Sequence, residues 1–153
     1  MADYNIPVEL MEALKSKFSG IEILENHEVI VPAADLIAFM TEIKENPDTA
    51  MDFLSNLTAA DYNDRLETVY NLVSVTHGYT LTVKVKLEDK ENPQVPSLCP
   101  LWGGASWQER ETYDLMGIVF TGFPGHPTRI LLDENFKGHP LRKDYQWEGG
   151  REA

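Results

Sequence analysis

Two early segments of the chain repeat hydrophobic residues with a helical period. Residues 7–19 carry an apolar face that starts beside Pro7 and stops before Gly20, which is the usual punctuation of a helix. Residues 33–45 carry a second such face, and Pro47 ends it because proline disfavours helical geometry in the residue before it. The pattern therefore predicts two amphipathic helices.

Alternation of apolar and polar residues predicts strands elsewhere. Apolar and polar residues alternate strictly over residues 79–87, so one face of this strand should be buried and the other exposed to solvent. Residues 66–76 are rich in Val, Thr and Tyr, and His77-Gly78 separates them from that strand, which predicts an antiparallel hairpin. Residues 21–31 show two short apolar pairs around a polar turn, which predicts a smaller hairpin.

Proline and glycine become frequent beyond residue 90, which predicts extended and irregular backbone. One segment differs: residues 106–116 should form a third helix, with Ser106 as N-cap, Glu109 three residues on, and Gly117 at the end. Helices and strands are grouped without regular βαβ alternation, so the fold class is α+β. We expect two helices packed on a mostly antiparallel sheet, followed by the third helix and a long extended C-terminal tail.

Charge is distributed unevenly over the 153 residues. The net charge of −12 lies entirely in residues 1–120, with 8 basic and 20 acidic side chains, whereas residues 121–153 carry 5 of each. An acidic body would repel nucleic acid. A neutral, aromatic tail beside it is typical of a covered segment, so we expect residues 1–120 to form a globular domain and residues 121–153 to dock on partner subunits. Packing of the tail on its own domain is the alternative.

Localisation signals are absent from the sequence pattern. No run of 18 apolar residues occurs, and the first residues lack the basic and apolar regions of a signal peptide, so we expect no direct membrane insertion. The lone Cys99 cannot form an internal disulfide and fits a reducing compartment. The cytoplasm is the expected location.

The sequence offers few groups for chemistry. Cys99 alone cannot ligate an iron–sulfur cluster, and the spacing of the histidines does not indicate a metal site. Glycine-rich phosphate or dinucleotide loops are missing. The histidines are His27, His77, His126 and His139.

The strongest charged cluster lies on the third helix. Glu109 and Glu111 point to different faces and cannot form an acid–base pair, whereas Arg110 and Asp114 can pair at i and i+4. These residues alone predict a solvated helix with one ion pair. In the tail, Arg142 could contact a carboxylate on another surface in bidentate fashion, but the residues alone favour a solvated basic pair with Lys143.

The two charged clusters and the residues between them resemble a known protein family. The relevant stretches are WQERETYDLMGIVF at 107–120, RILL at 129–132 and GHPLRKDY at 138–145. The likeness extends upstream through YNLVS at 70–74, the strand at 79–87 and VPS at 95–97, so that at least residues 61–145 resemble the 30 kDa-type subunit of respiratory complex I, also called the C-type subunit of NADH-quinone oxidoreductase. Between Phe120 and Arg129 the sequence is one residue longer than the family pattern, with Phe123 at the place of the usual histidine.

The resemblance implies a soluble subunit of the peripheral arm of a proton-pumping NADH:quinone oxidoreductase, at the cytoplasmic face of the inner membrane. It implies no catalytic, cofactor-binding or metal residue on this chain; iron–sulfur clusters would lie on partner subunits. The expected partners are the quinone-site (49 kDa-type) subunit and the iron–sulfur subunits, in a hetero-oligomer. The residues implied at subunit interfaces are Glu109, Arg110, Glu111, Tyr113, Asp114, Gly117, Arg129, Gly138, His139, Pro140, Leu141, Arg142, Lys143, Asp144 and Tyr145.

Two alternatives remain open at this level. Membrane-bound, ion-pumping hydrogenase complexes contain a similar module, so this chain could be the equivalent subunit there. A free-standing small acidic hydrolase that uses Glu, His and Cys99 is the alternative from a different class, and it would require a concave site with convergent groups.

Overall fold

The computed structural model describes residues 5–123, 131–132 and 136–145. Within these ranges the chain forms three helices and seven strands, and the class is α+β, as the sequence predicts. In chain order the elements are α1 (Val8–Lys17), β1 (Glu22–Ile23), β2 (Val29–Ile30), a 3₁₀ turn (Ala33–Asp35), α2 (Leu36–Glu45), β3 (Phe53–Tyr62), β4 (Arg65–Ser74), β5 (Tyr79–Leu87), β6 (Gln94–Pro96), α3 (Ala105–Met116) and β7 (Val119–Thr121).

Five strands make the main sheet, in the order β1-β2-β5-β4-β3. All neighbours are antiparallel except β2 and β5, so the sheet is mostly antiparallel, as predicted. The early hairpin is confirmed, with Ile23 opposite Val29. A separate parallel pair joins β6 to β7.

The core lies where α1 and α2 supply apolar side chains to the main sheet. Strand β5 buries Leu81, Val83 and Val85, as its alternation predicts. Helix α2 buries Phe39 and Met40, and its end before Pro47 is confirmed. The burial of such side chains stabilises the fold by roughly 1.5–3 kcal/mol for each large residue.

Strand β3 is the longest of the strands that the hydrophobic pattern misses, the others being the three-residue strands β6 and β7. Its buried residues Leu54 and Leu57 are three apart, because a bulge at Ser55 shifts the register against β4. A spacing of three between buried residues matches neither the two-residue period of a strand nor the complete pattern of an amphipathic helix. As a result, an edge strand of ten residues went unpredicted.

The third helix lies against β3 and covers this edge of the sheet. The side chain of Gln108 accepts a hydrogen bond at 2.6 Å from the amide of Leu57, a group on the outermost strand of the main sheet. Gln108 therefore ties α3 to the sheet by satisfying an edge N–H group.

Two details of the predicted boundaries are wrong. The β4–β5 connection has four residues, 75–78, because Ser74 pairs with Tyr79 and Gly78 adopts φ +74° to close the turn. Helix α3 begins at Ala105 after Gly104, so Ser106 lies inside the helix and is not its N-cap. The predicted end at Gly117 is confirmed, with φ +78°.

The described part of the tail forms neither helix nor strand beyond β7. Residues 139–143 contact the first 120 residues, through bonds from Leu141 to Leu115 and from Lys143 to Asp61. The division into a domain of residues 1–120 and a docking tail of residues 121–153 stays a prediction.

Candidate functional site

Glu109 is fully buried on α3, which contradicts the prediction of a solvated helix. Its carboxylate accepts hydrogen bonds from the hydroxyl of Ser97 and the amide of Leu98, both at 2.7 Å. The thiol of Cys99 lies 3.4 Å from the same carboxylate. The side chain therefore does not take part in a capping box but fastens α3 to the loop after β6.

Burial sets the protonation chemistry of this cluster. Burial raises the pKa of Glu109, and the hydrogen bonds from Ser97 and Leu98 offset only part of that increase. Burial also raises the pKa of the Cys99 thiol, and the hydrogen bond from Ser97 opposes this only in part. A thiol held in its neutral form is a poor nucleophile. This arrangement gives no support to a Cys99-dependent hydrolase.

Asp114 is the second buried carboxylate of α3, again in contrast to a solvated helix. Its Oδ2 atom accepts hydrogen bonds from the amides of Leu131 at 2.8 Å and of Leu132 at 3.0 Å. These contacts fasten α3 to residues 131–132 of the tail. Two acidic residues of one helix thus serve as acceptors for two separate chain segments.

His139 packs against the end of α3. Its Nδ1 atom lies 3.0 Å from the carbonyl oxygen of Asp114, and its ring makes an edge contact with Tyr113 at 5.6 Å between centroids. A Cβ atom added to Gly117 would lie 2.7 Å from the His139 ring. Glycine is needed here both for the left-handed backbone and for the close approach of the ring.

Residues 136–145 form a compact segment around an aromatic pair. Phe136 stacks on Tyr145 at 6.1 Å with an interplanar angle of 15°. Gly138 has φ +88°, and a Cβ atom there would lie 2.7 Å from the Tyr145 ring. The amide of Leu141 donates to the carbonyl oxygen of Leu115 at 3.0 Å. This segment is therefore attached to α3 by both main-chain and side-chain contacts.

Arg142 uses its guanidinium within the segment. It forms a bidentate pair with Asp144, through bonds of 3.0 and 2.8 Å. The sequence suggested that this guanidinium could contact a carboxylate on another surface. In the structure its partner is Asp144, two positions along the chain. Pairing with Asp144 is favoured over pairing with a distant carboxylate because Asp144 is already held close to Arg142. Little conformational entropy is therefore lost when the pair forms.

Asp61, near the end of β3, joins the segment to the sheet. Its carboxylate accepts from Lys90 Nζ at 2.7 Å and from the amide of Lys143 at 2.8 Å. Burial by itself would raise the pKa of Asp61, but these two hydrogen bonds together with nearby positive charges outweigh it and lower the pKa. The charged form is therefore the one that holds the segment.

Replacement of Asp61 by asparagine should reduce the stability of the chain at pH 7 by about 1–2 kcal/mol, because charge-assisted hydrogen bonds are lost. A carboxyl group with a lowered folded-state pKa contributes stability above its unfolded pKa of about 4, and this is lost as the pH falls through the folded value. Urea unfolding at pH 7 and pH 3.5 should therefore show a smaller acid-induced loss in Asp61→Asn than in the wild type. Equal losses would contradict this role.

Three large apolar side chains of this region are exposed. Trp107 on α3 is 62% exposed, and Leu131 and Leu141 are each 59% exposed. The guanidinium of Arg110 lies 5.2 Å from the Trp107 ring centroid, a cation–π contact. A small cleft of about 70 Å³ is lined in part by Glu111 and Leu141. We call Trp107, Arg110, Glu111 and Leu141 the outer face of α3.

The remaining predicted interface residues are Pro140 and Arg129. Pro140 is half-buried in the 136–145 segment, and Arg129 lies outside the described residues, as does His126. Phe123 packs against the core.

Sequence reasoning missed two residues of the site. Ser97 donates to Glu109, and Asp61 accepts from the 136–145 segment, but no pattern in the sequence indicates either hydrogen bond. Trp107 was visible in the sequence, but its exposure was not. Partners of this kind become recognisable only once the segments that carry them are brought together.

Two further features bear on function within the described ranges. No group of three or more His, Cys, Asp or Glu side chains could hold a metal ion there. No helix among the same residues is long and apolar enough to cross a membrane.

Comparisons with known proteins agree with this arrangement. The family described as "Respiratory-chain NADH dehydrogenase, 30 Kd subunit" matches residues 29–151. The C-type subunit of the NADH-quinone oxidoreductase from Moorella thermoacetica is 47% identical, over 92% of this chain and 97% of that protein. The mitochondrial NADH dehydrogenase (ubiquinone) iron-sulfur protein 3 of Candida albicans is 44% identical over 81% of this chain, which spans 44% of that longer protein.

A solved structure shares the fold. It is a chain of the membrane-bound sulfane sulfur reductase, an archaeal respiratory membrane complex, with a TM-score of 0.76 and 25% identity over 90% of this chain and 84% of that chain. The family match over residues 29–151 covers most of the sequence, including α3 and the 136–145 segment. The chain therefore belongs to the 30 kDa subunit family of the respiratory-chain NADH dehydrogenase, a family of subunits of NADH-quinone oxidoreductase-like complexes.

Proposed function

We propose that this chain is a structural and assembly subunit, without a cofactor of its own, in the peripheral arm of a proton-pumping NADH:quinone oxidoreductase. In this role it supports the quinone-site (49 kDa-type) subunit and the subunits that carry the terminal iron–sulfur clusters. It would lie at the cytoplasmic face of the inner membrane as part of the complex. Electron transfer would take place in the partners, and this chain would position them.

One observation carries the proposal: α3 is inverted relative to an ordinary surface helix. It buries the carboxylates of Glu109 and Asp114 and exposes the indole of Trp107. Surface helices normally place charge outside and apolar residues inside. The buried carboxylates hold two other chain segments against the helix, while the large apolar side chains of Trp107, Leu131 and Leu141 stay exposed. Such a surface is typical of one that another protein covers.

The composition of the outer face of α3 supports the same conclusion. Tryptophan and arginine are enriched among the residues that dominate binding energy at protein interfaces. Here Arg110 is already held over the Trp107 ring at 5.2 Å, so less side-chain entropy would be lost on binding. Cys99, the thiol that lies beside a buried carboxylate, is held in its neutral form because burial raises its pKa. The geometry therefore favours a role in binding a partner protein over a role in catalysis.

Replacement of Trp107 by alanine should weaken the association of this chain with the quinone-site subunit at least about tenfold, because a central interface tryptophan contributes about 2 kcal/mol or more. The stability of the isolated chain should change by less than about 0.5 kcal/mol, because the side chain is mostly exposed. Partner retention on the tagged chain and thermal unfolding of the isolated chain measure the two effects.

Val75→Ala provides the matched control. Val75 is 73% exposed, at the turn between β4 and β5, and does not belong to the outer face of α3. This variant should retain the partner as the wild type does. The outer face is not the docking surface if Trp107→Ala also retains the partner fully. The same conclusion holds if this variant loses thermal stability to the same extent as it loses partner binding.

A second candidate is the equivalent subunit of a membrane-bound respiratory complex with different electron-transfer partners, such as an ion-pumping hydrogenase. The fold shared with a chain of the archaeal sulfane sulfur reductase favours it. Mass spectrometry of the complex that co-purifies with this chain distinguishes the two. NADH-oxidising subunits support the first candidate, and hydrogenase or sulfur-reducing subunits support the second.

A further inference from the structure

The small cleft of about 70 Å³ lies at the edge of β3, the outermost strand of the main sheet. Residues 57–59 of β3 line one side of it, and residues 111–112 and 115–116 of α3 line another. Leu141 completes the lining. Glu111 and Leu141 also belong to the outer face of α3, so a partner bound to that face would meet the cleft.

The main-chain groups of β3 point alternately into the sheet and away from it. The amide of Leu57 points away, because it donates to the side chain of Gln108. Pairing with β4 is unbroken over residues 57–62. The N–H and C=O groups of Ala59 and Asp61 therefore point away as well, because the two kinds of pair alternate along an antiparallel ladder. Within the described part of the chain, neither of these groups of Ala59 has a hydrogen-bond partner outside the sheet.

A partner that covers the outer face of α3 would bury these two groups of Ala59. The residue is already half-buried where it lines the cleft. Nearly all buried main-chain N–H and C=O groups in folded proteins are paired, because an unpaired one is strongly unfavourable. A stable interface here therefore requires a partner that brings one acceptor and one donor to Ala59.

The surroundings of Ala59 limit the size of the group that can pair with it. On one side the edge of β3 is occupied by the side chain of Gln108. On the other side the amide of Lys143 is bonded to Asp61. A cavity of about 150 Å³ holds a benzene molecule, and the cleft has about half that volume. The space admits one side chain but not an added strand.

We propose that a carboxamide side chain, from Asn or Gln of a partner subunit, enters the cleft and pairs with the main chain of Ala59. Its oxygen accepts from the Ala59 amide, and its NH₂ group donates to the Ala59 carbonyl oxygen. Lys and Arg only donate and carboxylates only accept, whereas a carboxamide does both from two neighbouring atoms. Gln108 already makes the first of these bonds to Leu57, two residues earlier on the same edge. This inference rests on the proposed assembly function and names the chemistry of one contact.

Residue-resolved hydrogen exchange of the isolated chain and of the intact purified complex tests the proposal. In the isolated chain the Ala59 amide should exchange at least about tenfold faster than the amides of Thr58 and Ala60, which point into the sheet. In the complex its exchange should slow by at least about tenfold. Unchanged exchange at Ala59 in the complex would overturn the proposal. Slowing of equal size at Asp61 would indicate an added strand, and slowing with concentration in the isolated chain would indicate a second copy; both also overturn it.

A substitution that fills the cleft gives a second readout. Ala59→Leu adds carbon atoms at a residue that lines the cleft, so it should reduce partner retention by at least about tenfold. Ala60→Leu is the matched control, because residue 60 faces the opposite side of the sheet, and it should retain the partner. Full retention by Ala59→Leu would contradict the proposed contact. If thermal unfolding shows that this variant destabilises the isolated chain, the exchange of Ala59 in the wild-type complex decides.

The same measurements separate this inference from the function on which it rests. A complex that forms while Ala59 exchanges as fast as in the isolated chain contradicts only the carboxamide contact. A chain that co-purifies with no other subunit contradicts the assembly function itself.

Discussion

Replacement of Glu109 by alanine should destabilise the chain by about 3 kcal/mol, the largest effect that we expect from a single substitution here. The change removes the acceptor for the buried hydroxyl of Ser97 and the buried amide of Leu98, and it leaves a cavity under α3. Each unsatisfied buried donor costs about 1–3 kcal/mol. Urea unfolding of the isolated chain at pH 7, followed by circular dichroism, measures the loss.

Glu111→Ala is the control for this experiment, since it removes the same side chain from an exposed site two residues along the same helix. Its effect should stay within about 0.5 kcal/mol. Glu109→Gln keeps one acceptor oxygen and should lose less stability than Glu109→Ala. Similar losses for Glu109→Ala and Glu111→Ala would show that the Glu109 carboxylate does not hold the loop after β6 to the helix.

Replacement of Gly117 by alanine should destabilise the chain by about 2–3 kcal/mol. Part of the cost is the left-handed backbone at φ +78°, which disfavours a side chain by roughly 1–2 kcal/mol. The rest comes from the new methyl group, which would lie 2.7 Å from the His139 ring and displace it. Thermal unfolding measures the total, and the histidine ring signals in NMR spectra should report the displacement.

Gly78→Ala separates the two contributions. Gly78 also has a positive φ, +74°, but a Cβ atom there would meet nothing within 4 Å. Only the backbone cost should appear, so this control should lose about 1 kcal/mol and leave the His139 signals unchanged. If both glycine variants lose the same stability, then the 136–145 segment is not tightly packed against the end of α3.

Local patterns in the sequence predicted the parts of the fold that depend on local rules. Strand β5 was predicted to the residue because its alternation is unbroken. The end of helix α2 was predicted correctly because Pro47 follows it, whereas its first predicted turn, Ala33–Asp35, is a 3₁₀ turn. Strand β3 was missed because the bulge at Ser55 interrupts the period of two, and only pairing with β4 reveals it. Local rules therefore fail where a partner strand determines the structure.

The candidate site shows the same limit. Glu109 and Asp114 could be identified as important from the family resemblance, but spacing along the helix predicted them to be solvated. Their burial results from contacts with residues 97–98 and 131–132, which are separated from them by 11 to 18 positions along the chain. No periodicity on α3 itself encodes these partners.

The hydrogen bond from Leu57 to Gln108 has a consequence for the behaviour of the chain before it reaches its complex. An open sheet edge is a template on which another chain can add a strand, and α3 covers part of the β3 edge. Loosening of α3 would expose a long strand to other unassembled copies and favour aggregation. The carboxylates that hold α3 in place thus also protect the newly made chain from aggregation.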